Sequence, residues 1–243
     1  NLIVFFEEQS EVNNKKDLIT FSKKIEFNNV CFKHQNEIEV FKNMNLIINK
    51  NTCVGIKGDS GSGKSTLVDI LSGLLSIQSG KILVDDKELK KENLNLWTKK
   101  FSYIQQKIYF FEDSLEFNIS LEKEKKNIDY DKLNKIIELV QLKDFLDERG
   151  GDLSTKLQVS ASNISGGQAQ RLGIARALYK SPEIIIFDEA FNNLDNKNLT
   201  NILKLIGYIK KNSTIIMISH LDKTFFECDE IYEVEDKKLN KIK

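Results

Sequence analysis

Residues 58–65 read GDSGSGKS, and the setting of that run constrains the fold more than any other stretch of the chain. Its spacing is G-x-x-x-x-G-K-[ST]. Just before it, residues 53–56 form a short apolar strand candidate. From Ser65 onward, Leu67, Ile70, Leu71, Leu74 and Leu75 recur at helical spacing. A strand that turns through glycines straight into a helix converges backbone N–H groups and the positive end of the helix dipole on one point, which suits the oxygens of a phosphate. The expected cradle is Gly58, Asp59, Ser60, Gly61, Ser62 and Gly63, with Lys64 reaching the outer phosphates, the Ser65 hydroxyl suited to ligate Mg²⁺, and Thr66 in the same nucleotide-binding set. Kinases, GTPases, helicases and transport ATPases all carry such a cradle, so the motif implies a strand-loop-helix unit and a phosphate ligand without fixing an activity.

The remaining pattern reads as α/β. Runs 184–187 and 215–218 are wholly apolar and rich in isoleucine, as suits parallel strands buried on both faces beneath helices. Leu133, Ile136, Ile137 and Val140 fall on one face of an amphipathic helix within 131–146, and Gly166 and Gly167 open another that runs through Ile174 and Leu178 to Pro182, the one proline. Ile25, Phe27, Val30 and Phe32 alternate with a break, consistent with a strand, and residues 101–120 are aromatic and irregular. Residues 7–17 are polar without periodicity, so the domain is expected to start near residue 22. The 36 Lys and Arg balance the 36 Asp and Glu of this 243-residue chain, leaving no bulk field to hold nucleic acid or an anionic membrane. The longest apolar run is five residues, 2–6, far below the ~18 to 20 needed to cross a bilayer. Cys31, Cys53 and Cys228 lack metal or redox spacing and read as core thiols of a reducing cytosol. The chain opens on Asn1 with no signal-peptide pattern and reads as a soluble, globular fragment.

Two further constellations carry chemistry. Asp188 and Glu189 directly follow the apolar run 184–187, where one carboxylate can hold Mg²⁺ or its water and the next can orient an attacking water. Residues 164–171 read ISGGQAQR, in which a serine and two glycines at a helix start form a second phosphate cradle. With the first cradle, this run resembles the nucleotide-binding domain of ATP-binding-cassette (ABC) proteins, whose signature LSGGQ stands here with Ile164 for Leu. The resemblance covers residues 25–239. It implies a P-loop NTPase fold with a RecA-like parallel-sheet core, an N-terminal antiparallel β part and an inserted α-helical subdomain carrying the signature. The corresponding division is a linker from a missing membrane domain at 1–22, a core at 23–105 and 181–243, and a helical subdomain at 106–180.

The same resemblance implies ATP and Mg²⁺ as ligands and a head-to-tail dimer, in which Ser165 and Gly167, with Gly166 and Gln168 beside them, close over the γ-phosphate held by the partner's cradle. In YIQQ, Gln106 takes the glutamine-loop place that senses Mg²⁺ and the attacking water, and Gln105 stands where proline is common. Asp195 matches the D-loop aspartate and His220 the histidine switch. The implied catalytic set is Glu189, His220, Gln106 and Lys64, and the implied metal set is Ser65, Gln106 and Asp188. Two residues depart from the family: His34 stands where an adenine-stacking aromatic is expected, and Val159 where exporter-type domains have a glutamate. Segment 110–116 resembles the stretch that receives the coupling helices of a membrane domain. The function so implied is ATP hydrolysis driving an exporter or flippase at the cytoplasmic face of the inner membrane, with no nucleic-acid partner. Soluble DNA-repair or translation-type members remain the alternative, although Lys64 and Ser165 lie only 101 positions apart with no heptads between them. A degenerate cassette that binds ATP with little hydrolysis is the further alternative, and the presence of Glu189 and His220 argues against it. Residues 14–17, NKKD, fit a guanine-specifying motif but precede the cradle in a polar stretch, and are read as solvated.

Overall fold

A computed structural model describes residues 19–34, 38–157, 164–192 and 194–243; residues 14–17 and Val159 lie outside these. In chain order the strands are β1 (Lys24–Lys33), β2 (Glu39–Asn49), β3 (Cys53–Lys57), β4 (Ser79–Val84), β5 (Lys87–Glu88), β6 (Phe101–Gln105), β7 (Ile184–Asp188), β8 (Thr214–Ile218), β9 (Glu230–Glu235) and β10 (Lys238–Lys241). The α-helices are α1 (Lys64–Leu71), α2 (Leu94–Thr98), α3 (Leu115–Ser120), α4 (Tyr130–Leu139), α5 (Lys143–Asp147), α6 (Gly166–Tyr179) and α7 (Asn196–Ile209).

Two sheets form. An antiparallel one has the order β2-β1-β4-β5, and a six-stranded one the order β10-β9-β3-β8-β7-β6. In the second, β9, β3, β8, β7 and β6 are parallel and β10 closes the edge antiparallel to β9. The isoleucine-rich strands behave as their pattern requires. Ile184, Ile186, Ile216 and Ile218 enter a core shared with the antiparallel sheet and α1, whereas Ile185, Phe187, Ile215 and Met217 enter the core formed with α3 to α7. Each is essentially fully buried, and burial of that completeness contributes ~1.5 to 3 kcal/mol per side chain. Trp97 fastens the end of α1, its indole N–H donating to the Leu71 carbonyl at 2.8 Å.

The broken alternation of β1 has a structural cause. Its register against β2 shifts between Phe27 and Val30 and again before Phe32, with Asn29 at φ 50°. A side chain at Gly80 of β4 would sit 2.5 Å from the Asn29 carbonyl, so the glycine admits the bulge that keeps Phe27, Val30 and Phe32 all pointing inward. Ile19 and Phe21, within the stretch read as linker, are buried in the same core. Cys53 and Cys228 are core thiols 3.4 Å apart. Cys31 is not: it is half-buried, its Sγ facing the Asn43 side chain at 3.4 Å, because the β1 bulge turns it off the inward face. Among the described residues no helix is long and apolar enough to cross a membrane.

Candidate functional site

The loop between β3 and α1 takes its shape from Gly63, the residue before the helix, at φ 107°. A Cβ there would lie 2.5 Å from Val40 of β2, so only glycine allows the antiparallel sheet to roof the start of α1. Lys64 is buried, and its ammonium donates to the Gly58 carbonyl at 2.8 Å and the Asp59 carbonyl at 2.7 Å. Over this loop opens a cavity of about 580 Å³ lined by Ser60, Gly61, Gly63, Lys64, Ser65 and Thr66, by His34 at one side, and by Gln105, Gln106, Lys107, Asp188 and Glu189 at the other. The volume falls within the range of small-molecule sites. Four chain segments, at positions 34, 60–66, 105–107 and 188–189, therefore meet at one cavity. Gly58 and Asp59 face the cavity less directly, serving instead as acceptors for Lys64. The Ser62 hydroxyl is buried without a partner.

The carboxylates stand at the carboxyl end of β7. Asp188 accepts a hydrogen bond on Oδ2 from the Tyr103 phenol of β6. Burial first, and then the carboxylate it donates to, raise the Tyr103 pKa well above its ordinary value, so the group is a standing donor. Asp69 of α1 is raised as well, by burial and next by the charge of Asp188. Glu189 holds φ 48°, a left-handed conformation uncommon for a residue with a side chain. Its N–H donates to the Ile218 carbonyl at 3.0 Å, and its Oε2 accepts from the Asn192 amide at 3.2 Å. His220 follows β8 with Nδ1 3.9 Å from Glu189 Oε1. It approaches the site through that glutamate and does not line the cavity. His34 meets Phe32 edge to face at 5.1 Å between ring centres, which fixes the imidazole at the cavity wall. Ser65, Gln106 and Asp188 share this cavity and present only oxygen ligands to it, the donor chemistry that suits a hard cation such as Mg²⁺.

The second cradle lies elsewhere. None of Ser165, Gly166, Gly167, Gln168 and Asp195 lines the cavity. Ser165 caps α6: its Oγ accepts from the Gln168 N–H at 3.2 Å while Gln168 Oε1 accepts from the Ser165 N–H at 2.9 Å. The Gln168 carbonyl oxygen is thus engaged within its own helix. Asp195 caps α7, accepting from the Asn198 N–H at 3.0 Å. A Cβ on Gly167 would lie 2.8 Å from the Asn198 side chain, so the starts of α6 and α7 touch. Tyr103, Lys107 and Asn192 were not singled out by the sequence. Lys107, next to Gln106, was the one with a local signal, whereas the other two are recognisable only from the sheet register and the turn after Glu189.

The ABC transporter family matches residues 41–192. The chain is 34% identical over 217 residues to a putative export ATP-binding/permease protein of Rickettsia typhi, covering 88% of this chain and 37% of that protein. It is 30% identical over 233 residues to an ATP-dependent lipid A-core flippase of Pectobacterium atrosepticum, covering 96% and 40%. Among solved structures, a bacterial Atm1-family ABC exporter with ATP bound matches with a TM-score of 0.81 and 26% identity over 98% of this chain and 41% of that one. The chain therefore spans about two fifths of the length of these relatives.

Proposed function

The chain belongs to the ABC transporter family, and from that premise we propose that it is the ATP-binding and ATP-hydrolysing domain of an exporter or flippase, working by nucleotide-driven closure with a second such domain. The observation that carries the reading is the separation of the two phosphate cradles. The loop before α1 opens into a cavity, while Ser165 at the start of α6 is not among the residues that line it. A second copy placed head to tail would bring its Ser165 over the Lys64 of the first, completing two identical sites from two incomplete halves.

Within one such site, the N–H groups of residues 60–65 and the α1 dipole bind phosphate oxygens, and Lys64 exchanges its two loop carbonyls for the outer phosphates. Ser65, Gln106 and Asp188 are the residues that would hold Mg²⁺, which when bound neutralises charge on the phosphates. Glu189 accepts a proton from the attacking water; its strained backbone and the Asn192 amide fix where its carboxylate points. His220, 3.9 Å from the other carboxylate oxygen of Glu189, supplies a donor toward the γ-phosphate. His34 stacks on adenine.

The helical subdomain, 106–180, connects this chemistry to a membrane domain. Arg176 of α6 donates to the Asn118 carbonyl at 2.7 Å and the Tyr109 carbonyl at 2.9 Å, tying the signature helix to the aromatic stretch. Tyr109 and Phe111 remain 65% and 53% exposed and supply the contact for coupling helices at the cytoplasmic face of the membrane. The deciding experiment is light scattering of three proteins. Glu189→Gln should lower turnover by ~10²- to 10⁴-fold and, with ATP, run as a dimer of twice the mass, whereas the wild type without nucleotide runs as a monomer. Adding Ser165→Arg should abolish the dimer. A Gln variant at the wild-type rate, or a dimer indifferent to both ATP and Ser165, sinks the shared-site mechanism.

A further inference from the structure

We infer that Tyr103 is a positioning residue for the metal-facing carboxylate, its phenol holding Oδ2 of Asp188 so that Oδ1 is presented to the nucleotide cavity. The inference rests on Asp188 being a Mg²⁺-facing group, as proposed above. Two observations carry it. The strand register sets Tyr103 opposite Ile186, two residues before Asp188 on the neighbouring parallel strand, so the long phenol reaches forward to the carboxylate where a shorter side chain would stop short. Among the described residues, Tyr103 is the side-chain donor to Asp188. The phenol anchors the carboxylate without adding a charge of its own.

Hydrogen bonds to a ligating group from residues behind it fix its orientation, and their loss costs metal affinity by ~10- to 100-fold. Tyr103 also differs from a packing residue in its setting. It sits on the edge strand β6, 41% exposed, beside a groove formed with Ile108, Tyr109 and Arg176. Removing its hydroxyl therefore leaves the buried core unchanged.

The test is equilibrium binding of a fluorescent ATP analogue to Tyr103→Phe, measured once in EDTA and once in excess Mg²⁺. Thermal melting first verifies that the variant folds as the wild type does. Affinity in EDTA should stay within about twofold, and the gain in affinity on adding Mg²⁺ should shrink by about tenfold. In an Asp188→Asn background the same Tyr103→Phe change should do nothing more. Equal weakening with and without Mg²⁺ would assign Tyr103 a general structural role and overturn the inference, as would an undiminished Mg²⁺ gain. A further loss in the Asp188→Asn background would do the same, since the phenol would then act elsewhere. If Asp188→Asn itself leaves the Mg²⁺ gain intact, Asp188 is not the metal-facing group, and both readings fall together; a gain lost in Asp188→Asn but kept in Tyr103→Phe removes only this inference.

Discussion

Replacing Lys64 by Ala separates what this residue does for the empty loop from what it does for nucleotide. In the loop its ammonium donates to the carbonyls of Gly58 and Asp59 at 2.8 and 2.7 Å. On a phosphate, a unit charge pair at ~4 Å and an effective dielectric of about 20 attracts by ~4 kcal/mol. Surrendering the two carbonyl bonds takes back roughly 1 to 3 kcal/mol of that, since each such bond is worth about 0.5 to 1.5 kcal/mol net. A net loss of ~1 to 3 kcal/mol on substitution is ~5- to 150-fold in dissociation constant. Fluorescent-nucleotide titration reads this directly. The nucleotide-free variant should also melt lower by roughly 2 to 12 °C, because a domain of this size shifts ~2 to 4 °C per kcal/mol and the loop has lost about 1 to 3 kcal/mol. An unchanged dissociation constant would mean that the loop is not the nucleotide site. A lower melting temperature with unchanged affinity would confine Lys64 to bracing the loop.

His34→Tyr should tighten ATP binding severalfold, since stacking on an aromatic is worth ~1 to 3 kcal/mol per base and tyrosine offers a larger face; equal affinities for His, Tyr and Ala at this position would place adenine elsewhere. Arg176→Met should lower stability by about 1 to 3 kcal/mol by leaving the part-buried Asn118 carbonyl without its donor, while the more exposed Tyr109 carbonyl passes to water and ATP affinity holds. Wild-type melting of that variant would show the bonds to be replaceable by water.

What the chain displays in sequence is whatever is local in space. The glycine loop, the strand before it and the helix after it are contiguous, so their juxtaposition needs no tertiary information, and the runs 184–187 and 215–218 announce two-sided burial because both of their faces are apolar. The strand β6 did not read as one, because it lies at the sheet edge with Ser102 and Ile104 inward and Tyr103 and Gln105 exposed, a weak alternation inside an aromatic stretch. The helix α7 carries a legible signal, with Leu199, Ile202, Leu203, Leu205, Ile206 and Ile209 buried on one face behind an Asp195 cap. The positive φ of Glu189 and the Asn192 amide on its carboxylate have no sequence periodicity at all. They arise because β7 ends against β8 and the chain must turn back at once, a constraint set by the neighbouring strand.

The two cradles differ in a way that bears on how a shared site would close. In the loop before α1, the groups that would meet phosphate are backbone N–H groups and a lysine already satisfied by carbonyls, so binding there exchanges one set of bonds for another. At α6 the capping box has spent the Ser165 oxygen on the Gln168 N–H and the Gln168 oxygen on the Ser165 N–H. What remains to face outward is the Ser165 hydroxyl proton with the N–H group of Gly166, both donors, while Gly167 itself is buried. Such a surface attracts an anion, and because its geometry is fixed by its own cap it loses little freedom on contact. Gly167 is further held by Asn198, whose amide is itself bound to Asp195 at 2.5 Å. Were the second cradle to close over a phosphate as proposed, it would pull on the start of α7 as well as α6, and through Arg176 on the exposed aromatic stretch. A variant that breaks the Asn198 to Asp195 bond, Asn198→Ala, should leave the ATP affinity of a single chain unchanged and weaken the ATP-dependent dimer of the Glu189→Gln protein. Weaker binding to the monomer instead would place Asn198 in the first cradle and refute this division of labour.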